Sequence, residues 1–247
     1  MLISANELTS LLKRVFEGMG YTPGHYEDAA ALVGWLQLHG EDGLGELERA
    51  LELVADRDRA ATELVTDEPG SLNADCHGRS ALNCLPALLE LACVQAVEQP
   101  AFRVEVQNCH NRKFVLKLLA DCAQRGLWAQ ASWDNGHSPV QRHLAWIEAG
   151  ASHPSYLTCT LSEHSPQATR QSLSLMLGTA AQPQPVGEVV AKRSERFVSP
   201  DNFALAREQA LENGMEISPA LWQRLNSLAE AVLVESSERS RGGAGGR

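Results

Sequence analysis

Apolar residues in the first quarter of the chain recur with the period of a helix. Ser4 and Glu7 stand at the spacing of a capping box, in which each side chain satisfies the other's free backbone N–H. Leu8, Leu11, Leu12, Val15, Phe16 and Met19 follow on one helical stripe, ended by Gly18 and Gly20. A second helix is predicted to open at Thr22-Pro23, with Thr as cap and Pro at the first helical position. Its stripe is Ala29, Leu32, Val33 and Leu36, and it stops near His39-Gly40. Leu44, Leu47, Leu51 and Val54 mark a third, so residues 4–58 read as a helical unit.

Residues 66–79 are rich in Gly, Pro, Asp and Asn and read as a connection. A helix is predicted over about 83–97, with Pro86 tolerated in its first turn. The period then changes to two: Phe102, Val104 and Val106 alternate with Arg103, Glu105 and Gln107, the mark of a strand with one buried face. A helix over about 111–125, closed by Gly126, and a second strand over 127–133 complete a βαβ pattern, which predicts a parallel pair. Residues 137–148 read as helical, 156–161 as a third strand, 178–188 as a loop and 188–196 as a short exposed strand. Two further helices are predicted, one between Ser199-Pro200 and Asn213-Gly214, the other from Ser218-Pro219 through Leu221, Leu225, Leu228, Ala229 and Val232. The expected fold is α/β, with a helical N-terminal segment and C-terminal helices packed on a small mixed sheet containing a βαβ unit. It is expected to form a single globular domain over 1–235 (helical 1–60, α/β core 80–198, C-terminal helices 199–235), followed by a disordered Gly/Arg tail at 236–247.

Composition narrows the function classes. A net charge of −10 makes a general grip on nucleic acid or on an anionic membrane unfavourable. No apolar run approaches a bilayer span, and the first residues carry no secretory pattern. Six irregularly spaced cysteines without a Cys-x-x-Cys pair fit reduced thiols and a cytoplasmic location.

Candidate chemistry gathers at the predicted strand ends, where α/β proteins bind ligands. Asn108-Cys109-His110 follows one strand, and Asp134-Asn135-Gly136-His137 follows the next. If the two strands are neighbours, the loops 108–112 and 133–138 lie side by side, with Trp133 as a wall or as core packing. Asn108, Cys109, Asp134 and His137 are therefore candidate substrate-binding residues. A cysteine beside a histidine can be an activated nucleophile, but adjacent residues on extended backbone point apart, and a buried Cys beside a loop His is the plainer reading. Cys76-His77 repeats the pairing. Together with Cys109 and His110 it would offer four zinc donors, but the spacing is that of no finger, ribbon or knuckle, and no metal is assigned. His39 at a helix end would favour the helix dipole if protonated, or contact an anion.

The opening Ile3-Ser4-Ala5-Asn6-Glu7-Leu8, the Gly20-Tyr21 step, the run from Leu36 to Gly40 and the closing residues 237–245 resemble an uncharacterised bacterial domain-of-unknown-function family. A more distant resemblance is to the NAD(P)-dependent malate/L-lactate dehydrogenase family with a non-Rossmann fold. That family carries Leu-Arg-Gly-x-Asp-Ser-His-Gly after its second helix, where this chain reads Leu38-His39-Gly40-Glu41-Asp42-Gly43-Leu44-Gly45. Its Val-Arg-Asn-Ser-x-His-Phe-Gly stretch resembles Val106-Gln107-Asn108-Cys109-His110-Asn111-Arg112-Lys113. The family's Arg position holds His39, its catalytic His position holds Leu44, and its Lys-Gly-Tyr-Gly cofactor segment has no counterpart.

The resemblance implies a homodimer meeting through the N-terminal helices, and an NAD(P) site by resemblance only, since no cofactor motif is evident. The expected function is a non-catalytic small-molecule-binding or accessory relative of such dehydrogenases. The alternative is an active oxidoreductase, or another enzyme, acting on a small carboxylate through rewired residues, with His39, Asp42 and His110 as the catalytic group.

Overall fold

The structure, a computed structural model, describes residues 1–55, 60–97, 99–161, 171–180 and 195–231. The predicted capping box is present at the start of α1 (Ala5–Gly18). Ser4 Oγ accepts the Glu7 N–H at 3.3 Å, and Glu7 Oε2 accepts the Ser4 N–H at 2.8 Å. The stripe Leu8, Leu11, Leu12, Val15 and Phe16 is buried.

Helix α2 (His25–Leu38) starts later than Thr22, because Gly24 at its N-cap has φ of 86° and breaks the helical path after Pro23. The third helix, α3 (Gly43–Ala55), packs backbone to backbone on α2. A Cβ added to Gly43 would lie 2.2 Å from the Val33 carbonyl oxygen, so only glycine permits this approach.

The segment expected to be a connection forms two strands, β2 (Glu63–Glu68) and β3 (Ser71–Asp75), paired antiparallel about Pro69-Gly70. The Gly and Pro that suggested a loop belong to the hairpin turn, where Gly70 has φ of 86°. Helix α4 (Ala81–Val97) follows. Pro86 lies in its second turn rather than its first. Then come β4 (Phe102–Gln107), a 3-10 turn at Arg112–Phe114, α5 (Val115–Gln124) and β5 (Trp128–Asp134).

The stretch read as a helix over 137–148 instead carries β6 (Gln141–Ile147). Leu144 and Ile147 imitate a helical step, but Ala145 and Ile147 point inward with the period of a strand. The chain continues through β7 (Ser155–Thr160), β8 (Leu173–Gly178), β9 (Arg196–Val198), α6 (Pro200–Asn213), β10 (Met215–Glu216) and α7 (Pro219–Glu230). Both C-terminal helices carry the Ser-Pro starts read from sequence, and Ser199 and Ser218 accept N–H bonds from Asn202 and Leu221. The tail at 236–247, and most of the loop and exposed strand expected between 178 and 196, lie outside the described residues.

Eight strands form one mixed sheet in the order β2-β3-β4-β8-β5-β6-β7-β9. The βαβ unit exists, but not where expected. The directly paired parallel strands are β3 and β4, joined by α4. Strands β4 and β5 are not neighbours, because β8 runs antiparallel between them. Alternating Leu173, Leu175 and Leu177 place β8 in the core, so the central strand comes from a late part of the chain. A two-stranded pair of β1 (Leu2–Ile3) with β10 ties the N-terminus to the C-terminal helices. Helices α1, α2, α4 and α5 bury their apolar faces in one continuous cluster with the sheet. No described helix is long and apolar enough to cross a membrane.

Candidate functional site

Helix α2 ends in a Schellman motif. The Gly40 N–H reaches Gln37 O at 3.3 Å and the Glu41 N–H reaches Leu36 O at 2.9 Å, with Gly40 at φ of 74°. This turn carries Glu41 inward and leaves Asp42 outside. Asp42 caps α3, its Oδ1 accepting the Gly45 N–H at 3.1 Å, and its side chain is 64% exposed beside Arg49. The Glu41 side chain is only 1% exposed. Its Oε2 lies 2.9 Å from Lys113 Nζ, and Arg196 grips both oxygens, one bond measuring 3.0 Å. The Lys113 ammonium also donates to the Glu41 carbonyl at 2.8 Å.

Three adjacent strands add an aromatic platform. Trp133 on β5 and His143 on β6 are direct cross-strand partners, stacked at 4.9 Å with rings 2° apart. Tyr156 on β7 continues the stack 6.0 Å from each, and its hydroxyl lies 2.7 Å from His143 Nδ1. The Arg196 guanidinium sits 5.6 Å above the Tyr156 ring. Burial, reinforced by Lys113 and Arg112, pushes His143 down to about 4, so the imidazole is neutral near pH 7. Burial, with Glu41 adding to it, pushes Tyr156 above the ordinary phenol range. The phenol therefore keeps its proton, and the neutral ring and the phenol share one hydrogen bond.

Beside the platform, Asp134 is buried and held by Arg142 through two bonds of 2.8 and 2.9 Å. Arg112 is buried too, donating to the carbonyls of Cys109 and Asp134 and to Gln171 Oε1, while its Nε has no partner among the described residues. Arg112 thus links the loops after β4 and β5. They were expected side by side, and they are bridged through Gln171, just ahead of the intervening β8. Of the four charged groups that act on His143, three are cations (Lys113, Arg112 and Arg196) and one is a carboxylate, Asp134. In a chain of net charge −10, this is a local positive field around a neutral ring.

The residues singled out from sequence are distributed otherwise. His39 is buried at the end of α2, its Nδ1 2.7 Å from Trp35 O, its ring stacked on Trp35 at 4.0 Å and tilted against His153 and Phe203. Burial pushes it down to about 4, so a protonated His39 serving the helix dipole is replaced by a neutral ring packed between α2 and α6. Asn108, with φ of 52°, donates to both oxygens of Asp75 at 2.9 Å. His110 makes a backbone bridge to Ser80. His137 lies at the surface, its Nδ1 3.2 Å from Asn135 Nδ2. Cys109 is buried among other thiols. These contacts of His39, Asp42 and His110 run to three different parts of the fold. Asp134 does border the charged site, but its carboxylate is engaged by Arg142. Glu41, Lys113, Tyr156 and Arg196 lie up to 155 positions apart, so no local pattern marks them as one site.

Residues 3–83 match the model of a family described as a protein of unknown function, DUF3726. No curated protein sequence matches the chain. Among solved structures it is similar to a dehydrogenase from Sinorhizobium meliloti, at TM-score 0.69 and 13% identity over 93% of this chain and 99% of that one. It is also similar to malate dehydrogenase from Pyrococcus horikoshii OT3 (TM-score 0.66, 12% identity, 95% and 96% covered). A third is delta1-piperideine-2-carboxylate reductase from Pseudomonas syringae pvar. tomato (TM-score 0.62, 13% identity, 92% and 99% covered). The chain has the fold of malate/lactate dehydrogenase-like proteins; at these identities the likeness is one of fold.

Proposed function

We propose that this chain binds a small carboxylate without transforming it, at the site formed by Lys113, Arg196, His143 and Tyr156. The observation that carries the proposal is the cationic field around neutral His143. Lys113, Arg112 and Arg196 all act electrostatically on the ring, and Arg196 lies over the adjoining Tyr156, a combination that suits a carboxylate better than a neutral ligand. Glu41 holds Lys113 and Arg196 in place and leaves a positive excess. Two of the similar structures are named for acting on malate or on a cyclic carboxylate, which fits this ligand class by fold analogy only.

Apolar and packed side chains fill the positions that are reactive in the dehydrogenase family. Leu44, standing for the proton-relaying His, is 4% exposed inside α3, with its N–H bonded to Gln37 Oε1 at 3.0 Å. His39, standing for the Arg, is spent on packing against Trp35. These residues do not fit the chemistry that a nicotinamide cofactor would bring to that place, so no hydride step is assigned. The Gly40, Asp42 and Gly45 matches to the family are explained by the Schellman turn and the α3 cap, which are structural needs.

One observation favours the enzyme reading. The hydrogen-bonded His143–Tyr156 pair is chemically able to exchange a proton with a bound oxygen. Thermal-shift titration with small 2-oxo and 2-hydroxy acids, with and without NADH or NADPH, tests both. Binding at about 100 times Kd raises stability by about 2.7 kcal/mol. The proposal expects a shift with an acid alone and no consumption of reduced nicotinamide. Nicotinamide oxidation that disappears in His143→Gln would replace it with the enzyme reading.

A further inference from the structure

The end of the β3–α4–β4 unit opposite the hairpin turn holds a second chemical group, unrelated to the charged site. Cys76 follows β3, Cys109 follows β4, and Cys84 lies in the first turn of the connecting helix α4. All three are buried, at 0%, 0% and 2% exposure, and their sulfur atoms lie within 4.8 Å of one another. The Cys84 and Cys109 sulfurs are 3.7 Å apart.

A single buried cysteine is ordinary core packing, but three from separate elements whose sulfurs converge also make a set of soft donors. Trigonal coordination at a metal–sulfur distance of about 2.3 Å requires sulfurs about 4.0 Å apart, which this spacing matches. The cluster sits at the carboxyl ends of two parallel strands, where such folds bind ligands. The first turn of a 17-residue helix adds a positive dipole end that favours thiolates.

Among the described residues no histidine or carboxylate joins the three within the same reach. The neighbouring His77 ring is turned to Glu63 and Asp75, at 3.4 and 3.7 Å. A structural zinc ion takes four donors, whereas a soft monovalent ion is satisfied by three sulfurs.

We propose that Cys76, Cys84 and Cys109 form a buried trigonal thiolate site for Cu(I). Each copper–sulfur bond replaces a thiol proton, which leaves to solvent, and copper stays in its Cu(I) state throughout. Because the sulfurs are buried, the ion enters during folding or a local opening of the β2–β3 edge.

The test uses the full chain, reduced and anaerobic, in a Cys93→Ser, Cys122→Ser, Cys159→Ser background. These changes remove the other thiols, including the Cys93–Cys122 pair, whose sulfurs lie 3.5 Å apart beside a groove between α2, α4 and α5. Cu(I) is supplied as its coloured bicinchoninate complex. The protein is expected to withdraw one equivalent, and adding Cys84→Ser should weaken that withdrawal at least about tenfold, the loss that even an outer-shell change produces. X-ray absorption of the copper-loaded background protein, which needs no ligand variant, should show three sulfur neighbours. No withdrawal of copper, withdrawal unchanged by Cys84→Ser, or a shell of nitrogen and oxygen would each overturn the proposal.

Discussion

The charged face of β5, β6 and β7 and the thiol end of the β3–α4–β4 unit are both buried polar sites, but they are built oppositely. On the charged face, formal charges are taken out of water and compensated by one another: Glu41 by Lys113 and Arg196, Asp134 by Arg142. The geometry there depends on every partner being present, because removing one strands another in low dielectric. At the thiol end three buried sulfurs face one another, with no histidine or carboxylate among the described residues within the same reach. The proposed ligands differ accordingly: a diffusible anion at the first site and a soft cation at the second.

The contrast is sharpest at Glu41. Glu41→Ala leaves Lys113 and Arg196 without their shared carboxylate and is expected to cost about 3 kcal/mol in urea unfolding, the low end for a broken buried pair because Arg196 is 45% exposed. A cost below about 1 kcal/mol would remove Glu41 as the anchor of the charged face.

Acid comes next. His143 and His39 both have folded pKa values near 4 against an ordinary 6.5, so the unfolded chain binds more protons between those values. Their contribution to stability is complete above about pH 6.5 and is lost as pH falls toward 4. His143→Gln should flatten that part of a stability–pH profile. A profile unchanged by the substitution would mean that His143 titrates alike in the folded and unfolded chains.

Cys84→Ala in the metal-free protein should cost only about 1 kcal/mol, the burial of roughly one methylene-sized group. A loss matching that of Glu41→Ala would break the contrast between the two ends. Smallest of all, Asp42→Ala should cost about 0.5–1 kcal/mol through the lost cap of α3. Its neighbourhood to Glu41 would then be one of sequence alone, two adjacent carboxylates with unrelated roles.

Much of the helical layer was legible in the chain. The Ser4–Glu7 box and the Ser-Pro starts of α6 and α7 act through residues a few positions apart, so the sequence displays the whole interaction. The sheet was less legible because its order depends on distant pairing. β8 enters between β4 and β5 from some forty residues downstream, and nothing local to Phe102–Gln107 or Trp128–Asp134 announces it. A helical reading of 137–148 also hides the platform, because Trp133 and His143 stack only when both segments are extended and in register. The turn at Gly40 was visible as a helix stop. What it accomplishes, turning Glu41 inward toward Lys113 and Arg196, depends on residues 72 and 155 positions away.

The most direct measurement of the central claim is a nitrogen NMR titration of the histidine rings with a small 2-oxo or 2-hydroxy acid, assigned by His143→Gln. Ligand binding at the charged face predicts a saturable change at His143, with His39 and His153 unmoved, and its loss in Lys113→Ala. Saturable binding that leaves His143 unchanged, or that moves His39 instead, would place the carboxylate elsewhere and contradict the account.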